Sequence, residues 1–138
     1  MAFSALAKQS ASFVANLPEW IEAAVISNEN ALVELNISQM LNSTRADGKP
    51  ILPLYSTAYA KKKGFTKPNL KVKGDFQDEM RLTTFGKQYS VTSPVDYAKH
   101  LEKLYTPKIF GIAPANRPAA RELNDRSLAE LYLKWLER

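Results

Sequence analysis

Residues 80–93, MRLTTFGKQYSVTS, constrain the fold most, because they have the period-two alternation of a β-hairpin. Met80 and Leu82 fall on one face of the first strand, and Tyr89 and Val91 share a face on the second, since successive strand residues alternate between faces. The stretch TFGK supplies the turn. Helical patterns precede and follow the hairpin. The sequence therefore predicts an α+β fold: a small antiparallel β-hairpin or sheet packed against several helices, with helical N- and C-terminal parts.

Length and composition predict a single domain. The chain has 138 residues, which fit one domain. Hydrophobic residues make up 45% and charged residues 24%, close to the average of globular proteins. Within the predicted domain 1–138, residues 1–17 form a candidate N-terminal arm and residues 18–43 a long helix. Residues 44–138 form a core with the hairpin and the C-terminal helices.

The N-terminal segment has few large side chains with which to become ordered alone. Fixing each residue costs about 1–2 kcal/mol of backbone entropy, and the large apolar groups before residue 18 are few. Two predictions stay open. The segment is either an arm that becomes ordered against another subunit or a first helix packed on its own chain. The candidate subunit-interface residues are Phe3, Leu6, Phe13 and Trp20.

Helical patterns mark both ends of the chain. Pro18 suits the first position of a helix, and apolar residues then follow at helical spacing. The SNEN stretch at 27–30 leaves open whether this is one long helix or two, and the pattern stops near 42–43. The C-terminus from Pro118 is predicted to be helical, with Asn124–Asp125 as a point where a second helix could start.

Two shorter helices have capping signals. Ser56 is the predicted cap of one helix, and Gly64 is predicted to end it in the left-handed conformation. Ser93 as a cap and Pro94 at the first position predict another helix over residues 94–105. The buried stripe expected on this helix is Tyr97, Leu101 and Leu104, with Ala98 and Tyr105 alongside.

The sequence offers little catalytic equipment. The one histidine, His100, has no second histidine or cysteine with which to hold zinc. The carboxylates Asp75, Asp78 and Glu79 are of the type that hydrolyses glycosides or binds magnesium. However, Asp75 after a glycine is also a suitable N-cap for one helical turn. We therefore predict no enzymatic activity, no cofactor and no metal.

The same stretch is predicted to be a structural elbow made of Gly74, Asp75 and Phe76. It lies where a basic, polar run changes into the alternating pattern of the hairpin. A single glycine is neither a Walker sequence nor a dinucleotide-binding fingerprint. The elbow is therefore expected to feed the chain into the hairpin.

A lysine-rich cluster is the remaining candidate site. Lysines with interleaved aromatic residues, here Tyr59 and Phe65, are typical of nucleic-acid-binding proteins. Lysines on a short helix and linker are also typical of a solvated surface, so both interpretations stay open. The net charge of +5 favours anionic partners without specifying nucleic acid. The candidate nucleic-acid-binding residues are Lys61, Lys62, Lys63, Lys67, Lys71 and Lys73.

Targeting signals are not evident. No apolar run approaches the roughly 18–20 residues that cross a bilayer, and the N-terminus has no signal-peptide pattern. The absence of cysteine fits synthesis in a reducing cytosol. We expect a soluble protein without a membrane partner.

The order of the segments resembles a pattern in small structural proteins of Bacteroidetes phages and prophages. The stretch LVELNISQMLNSTRADGKPILPLYSTAYAKKKG has the helix end, Asp-Gly turn, Tyr-Ser start and YA..K motif of that pattern. NLKVKGDFQDEM, the hairpin, LEKLY, IFGI and a C-terminal helix follow in the same order. The resemblance covers roughly residues 32–138, and Lys73 stands where threonine is common.

A shorter resemblance links GDFQDEM and the following strand to head–tail connector, or tail-completion, proteins of tailed phages. The resemblances imply a small α+β virion protein, made in the host cytoplasm, that forms a homo-oligomeric ring with portal or tail subunits. The alternative is a nucleic-acid-associated phage protein that makes non-specific DNA contacts through the lysines. A small hydrolase or lysis factor that uses the carboxylates is a third hypothesis.

Overall fold

The computed structural model describes residues 2–71, 74–85 and 88–137. Six helices and two strands follow one another in this part of the chain: α1 (Ala2–Ser27), α2 (Glu29–Leu41), α3 (Thr57–Lys63), α4 (Asp75–Asp78), β1 (Arg81–Phe85), β2 (Gln88–Thr92), α5 (Ala98–Tyr105) and α6 (Arg117–Leu136). Two 3-10 turns, Pro107–Ile109 and Pro114–Asn116, lie between α5 and α6. The predicted α+β class is confirmed.

The chain divides into two compact units, and the single predicted domain stays a prediction. The helix-pair unit consists of the residues up to Asn28 and from Arg121 onward. The core unit is Glu29–Ala120 and contains the two-stranded sheet. The ends of the chain thus meet in one unit, while the middle of the chain forms the other.

The first helix covers both the segment predicted as an N-terminal arm and the start of the predicted long helix. Residues 2–27 form one helix, and Pro18 lies inside it rather than at its first position. Because proline has no N–H, α1 lacks one backbone hydrogen bond there. The helix breaks at Asn28, so the SNEN stretch separates two helices. The Asn28 amide donates to the carbonyl oxygens of Ala24 (3.0 Å) and Leu123 (3.1 Å), which fixes the break.

The predicted hairpin is confirmed. β1 and β2 pair antiparallel, with Leu82 opposite Val91 and Thr84 opposite Tyr89. The Leu82 N–H donates to a carboxylate oxygen of Glu29 at 3.1 Å, which links β1 to the start of α2. Of the predicted turn TFGK, Gly86 and Lys87 lie outside the described residues.

The apolar core of the core unit draws on most segments of its chain, but α3 contributes no buried residue. Side chains from α2, the linkers, the hairpin and α5 meet there and form one contiguous cluster. The buried members are Val33, Met40, Ile51, Leu70, Phe76, Met80, Val91, Ala98, Tyr105 and Ile109.

The start of α5 differs from the prediction. The helix begins at Ala98 instead of Pro94, and Tyr97 is at its N-cap position without a side-chain capping bond. The Ser93 hydroxyl is not a cap, because it donates to the carbonyl oxygen of Phe76 at 2.9 Å. The Ser93 hydroxyl, which the local pattern predicted as a helix cap, therefore bonds to a residue outside the helix.

The buried face of α5 differs as well. Ala98 and Tyr105 are buried and Leu101 is half-buried against the core. Leu104 is 50% exposed and Tyr97 is 36% exposed, so the prediction that they belong to the buried stripe is wrong. Positions 98, 101 and 105 share a helix face, so Leu101 keeps its predicted place while Ala98 and Tyr105 replace Tyr97 and Leu104.

Two amide side chains of α2 hold the loop before α6. The Asn36 amide nitrogen donates to the carbonyl oxygen of Ile109 at 2.9 Å, and its oxygen accepts from the Gly111 N–H at 2.9 Å. Gln39 donates to the Gly111 carbonyl oxygen at 2.8 Å and accepts from the Ala113 N–H at 2.7 Å. Since buried backbone groups need partners, these two side chains let an irregular loop run beside α2.

The Asp-Gly turn after α2 is closed by charge. The Asp47 carboxylate accepts hydrogen bonds from the Arg45 guanidinium and from the Lys49 N–H. The hydrogen bond from Arg45 lowers the pKa of Asp47, and burial partly opposes this shift. Lys108 adds an ion pair at 3.8 Å. The turn predicted at this position therefore forms.

The C-terminal helix has no break. α6 runs from Arg117 to Leu136 as one helix, so Asn124–Asp125 does not start a second one. Asn124 instead accepts a hydrogen bond from Asn28 at 3.2 Å. None of the helices in the described part of the chain is long and apolar enough to cross a membrane.

Candidate functional site

The short helix α3 carries the lysines at the centre of the predicted cluster. Ser56 caps its start by accepting a hydrogen bond from the Tyr59 N–H at 3.3 Å, as predicted. Gly64 ends it with a φ of 86°, also as predicted. Lys61, Lys62 and Lys63 form the last turn, where cations interact favourably with the negative end of the helix dipole.

Three aromatic rings pack around α3. Tyr55 meets Tyr59 edge to face with ring centroids 4.8 Å apart, and its centroid lies 6.0 Å from that of Phe65. The Lys63 ammonium lies 5.9 Å from the centroids of both Tyr59 and Phe65. We call Tyr55, Tyr59 and Phe65, together with Lys61, Lys62, Lys63, Lys67 and Lys71, the lysine–aromatic surface.

The linker after α3 is fixed to this surface. The Tyr55 hydroxyl donates to the Asn69 side-chain oxygen at 3.3 Å and accepts from the Asn69 N–H at 3.2 Å. Lys63 donates to the carbonyl oxygen of Lys71. Leu70 is buried in the core. The linker is therefore held at several points along its length.

The structure places most of the predicted lysines on the outside. Lys61, Lys62, Lys67 and Lys71 are exposed, whereas Lys63 is half-buried between the rings and the linker. Lys73 lies outside the described residues. The cluster predicted as one set thus contains a structural member, Lys63, and several exposed ones.

The charge of the chain is concentrated in this region. Residues 48–74 contain seven lysines and no acidic residue, so they carry +7. The rest of the chain holds twelve basic and fourteen acidic residues and carries −2. The net charge of +5 is therefore local, and such asymmetry is typical of a surface that meets anionic partners.

The predicted elbow lies between the linker and the hairpin. Gly74 has a φ of 92° and precedes the single turn of α4, after which β1 begins. Gly74, not Asp75, occupies the N-cap position, so the capping role predicted for Asp75 is wrong. Phe76 is 1% exposed, and its ring centroid lies 5.6 Å from that of Phe110. A left-handed glycine followed two positions later by a buried aromatic sets the direction in which the chain enters β1.

The predicted interface residues Phe13 and Trp20 contact α6 of the same chain. Phe13 packs edge to face on Tyr132 with ring centroids 5.1 Å apart. Trp20 packs on Trp135 at 5.7 Å. These contacts favour a first helix packed on its own chain over a free arm. The side chains of Phe3 and Leu6 lie outside the described residues.

A shallow apolar groove runs between α1 and α6 beside these rings. Val14, Tyr132 and Leu136 border it and are 64%, 39% and 44% exposed. Ala24 and Val25 are the buried apolar residues in the described part of the helix-pair unit. We call this feature the α1–α6 groove, and its lining residues are Gln9, Ser10, Phe13, Val14, Tyr132, Trp135 and Leu136.

The candidate catalytic residues lie on the surface. His100, Asp75, Asp78 and Glu79 are all exposed. Among the described residues, no group of three or more acidic or histidine side chains is placed to hold a metal ion. The absence of enzymatic activity stays a prediction.

Two parts of these sites were not predicted. Tyr55 joins the lysine–aromatic surface through Asn69, and the only local signal was its position directly before the cap Ser56. The α1–α6 groove joins residues more than a hundred positions apart. Helical spacing identifies the apolar face of each helix, but it does not pair the helices.

Comparison of the chain with known protein families, with curated proteins and with solved structures found no match.

Proposed function

We propose that this protein is a structural subunit of a tailed-phage virion, located in the neck or tail. It assembles there with copies of itself, as a ring, and with other virion proteins such as portal or tail subunits. The proposal places no catalytic step on the chain. The order of sequence segments over residues 32–138 supports the phage assignment, and the helix-pair unit supports assembly.

The observation that carries the proposal is the exposed apolar surface of the helix-pair unit. Two helices in this unit bury few side chains between them while large apolar ones stay exposed. A helix pair with apolar residues outside its own contact is typical of a surface that another protein covers. The exposed large apolar residues of the unit are Val14, Ile21, Ile26, Tyr132, Leu133 and Leu136.

Sedimentation velocity of purified protein tests the assembly step. We expect wild type to sediment as an oligomer, and Val14→Glu combined with Leu136→Glu to sediment as a monomer, because charges in the groove oppose its burial. Leu52→Glu combined with Leu54→Glu is the matched control, since Leu52 and Leu54 are 56% and 54% exposed in the core unit. A wild-type monomer at all concentrations, or equal dissociation by the control, would argue against assembly through the groove.

Mass spectrometry of purified phage particles tests the location. We expect the chain in the particles as an integral component that resists high-salt washing, because an interface with an apolar core depends little on salt. A particle preparation without the chain would sink the virion assignment even if the purified protein forms oligomers. The two measurements therefore test assembly and location separately.

A further inference from the structure

We propose that the lysine–aromatic surface binds single-stranded nucleic acid. Bases stack on the rings of Tyr59 and Phe65, while exposed lysines of α3 and its linker contact the phosphates. The surface belongs to the core unit, so the inference does not depend on the assembly role of the α1–α6 groove.

The two rings are available for stacking. Tyr59 is 37% exposed and Phe65 is 41% exposed, although both are large apolar side chains. Such rings form a sequence-tolerant platform, because every base has a π-face. Tyr55 contacts both rings and is itself hydrogen-bonded to Asn69. The platform is therefore ordered before a ligand arrives, which lowers the entropy lost on binding.

The lysines around the rings have distinct roles. Lys63 is held by the rings and by the carbonyl oxygen of Lys71, so it positions the platform. Lys61, Lys62 and Lys67 are exposed and form no ion pair within the described residues. No carboxylate occurs between Asp47 and Asp75 to compete for them. These three ammonium groups are therefore free to neutralise phosphates.

Exposed rings favour a single strand over the alternatives. In a duplex the bases are already stacked on each other, so binding through phosphates would make no use of Tyr59 and Phe65. An acidic protein segment would satisfy the lysines but would not require π-faces. Only unpaired bases together with phosphates match both features of the surface.

Fluorescence anisotropy with a labelled oligothymidylate tests this inference. Phe65→Leu keeps an apolar side chain but removes the π-face, and we expect roughly tenfold weaker binding, as for the loss of one stack. For Lys61→Gln with Lys62→Gln, we expect the slope of log K against log salt to fall in magnitude by about 1.4. Lys99→Gln with Lys103→Gln removes the same charge from exposed positions of α5 and should change neither quantity.

Circular dichroism and thermal melting establish that each variant is folded. The inference is overturned if folded wild type does not bind the oligonucleotide at low salt, or if folded Phe65→Leu binds as wild type does. Equal effects of the two double-lysine variants would mean that binding reflects net charge alone, which also overturns it. Polyglutamate binding as tightly as the oligonucleotide would assign the surface to an acidic protein partner instead.

Discussion

At the scale of single residues, the core unit depends on two buried amides. Asn36 is 0% exposed and Gln39 is 4% exposed, yet each pairs its donor and its acceptor with the loop before α6. Burying a polar side chain is costly unless it is hydrogen-bonded. These two amides are tolerated because their donors and acceptors all have partners. The amides thus bind two segments that are remote in sequence.

Replacing Asn36 should therefore be costly. Asn36→Ala leaves the Ile109 carbonyl and the Gly111 N–H without their partner, and each buried unpaired group costs about 1–3 kcal/mol. We expect a loss of about 3 kcal/mol in the free energy of unfolding, measured by urea denaturation. Asn42→Ala, at an exposed position just after α2, is the control and should change stability by less than about 0.5 kcal/mol. Equal losses for the two variants would show that the hydrogen bonds of the Asn36 side chain contribute little to stability.

At the scale of elements, those with complete local signals form as predicted. α3 has its cap at Ser56 and its end at Gly64, and the hairpin has its alternation. α5 differs, because Ser93 donates to the carbonyl oxygen of Phe76 rather than capping the helix. The residues of α5 that face the core belong to the buried cluster, and α5 packs on the 3-10 turn Pro107–Ile109.

The two leucines of α5 should separate these faces in a stability measurement. Leu101 is half-buried against the core, so Leu101→Ala should lower the free energy of unfolding by about 2 kcal/mol. Leu104 is 50% exposed, so Leu104→Ala should cost less than about 0.5 kcal/mol. Both variants make the same change on one helix, which controls for helix propensity. Similar losses for the two variants would restore the buried stripe predicted from sequence, which contains both leucines.

At the scale of the whole molecule, the chain has one unit with a core and one without a large core. The buried apolar cluster belongs entirely to Glu29–Ala120. The helix-pair unit is instead held by aromatic contacts of Phe13, Trp20, Tyr132 and Trp135. This distribution indicates that most of the folding free energy resides in the core unit.

A fragment of residues 29–120 should therefore fold alone. We expect cooperative thermal unfolding and dispersed amide NMR signals. The fragment keeps the whole buried cluster and the hydrogen bonds of Asn36 and Gln39 to the loop before α6. A fragment of residues 29–97 is the control, since it lacks α5, Ile109 and the loop that Asn36 and Gln39 bind. A 29–120 fragment without a cooperative transition would mean that the core unit needs the helix pair to fold.

The sequence predicts the hairpin, the limits of α3, and the lysines and two rings of the candidate site. Each of these depends on interactions within a few residues, such as a cap, a left-handed glycine or strand alternation. The partners of Asn36, the contacts of Tyr55 and the pairing of α1 with α6 are seen first in the folded chain. Asn36 meets its loop partners 73 and 75 positions away, and no local pattern specifies which distant surface a side chain will meet. The physical reason is that burial is decided by the competition among all apolar and polar groups of the folded chain, whereas a cap or a turn satisfies its own neighbours.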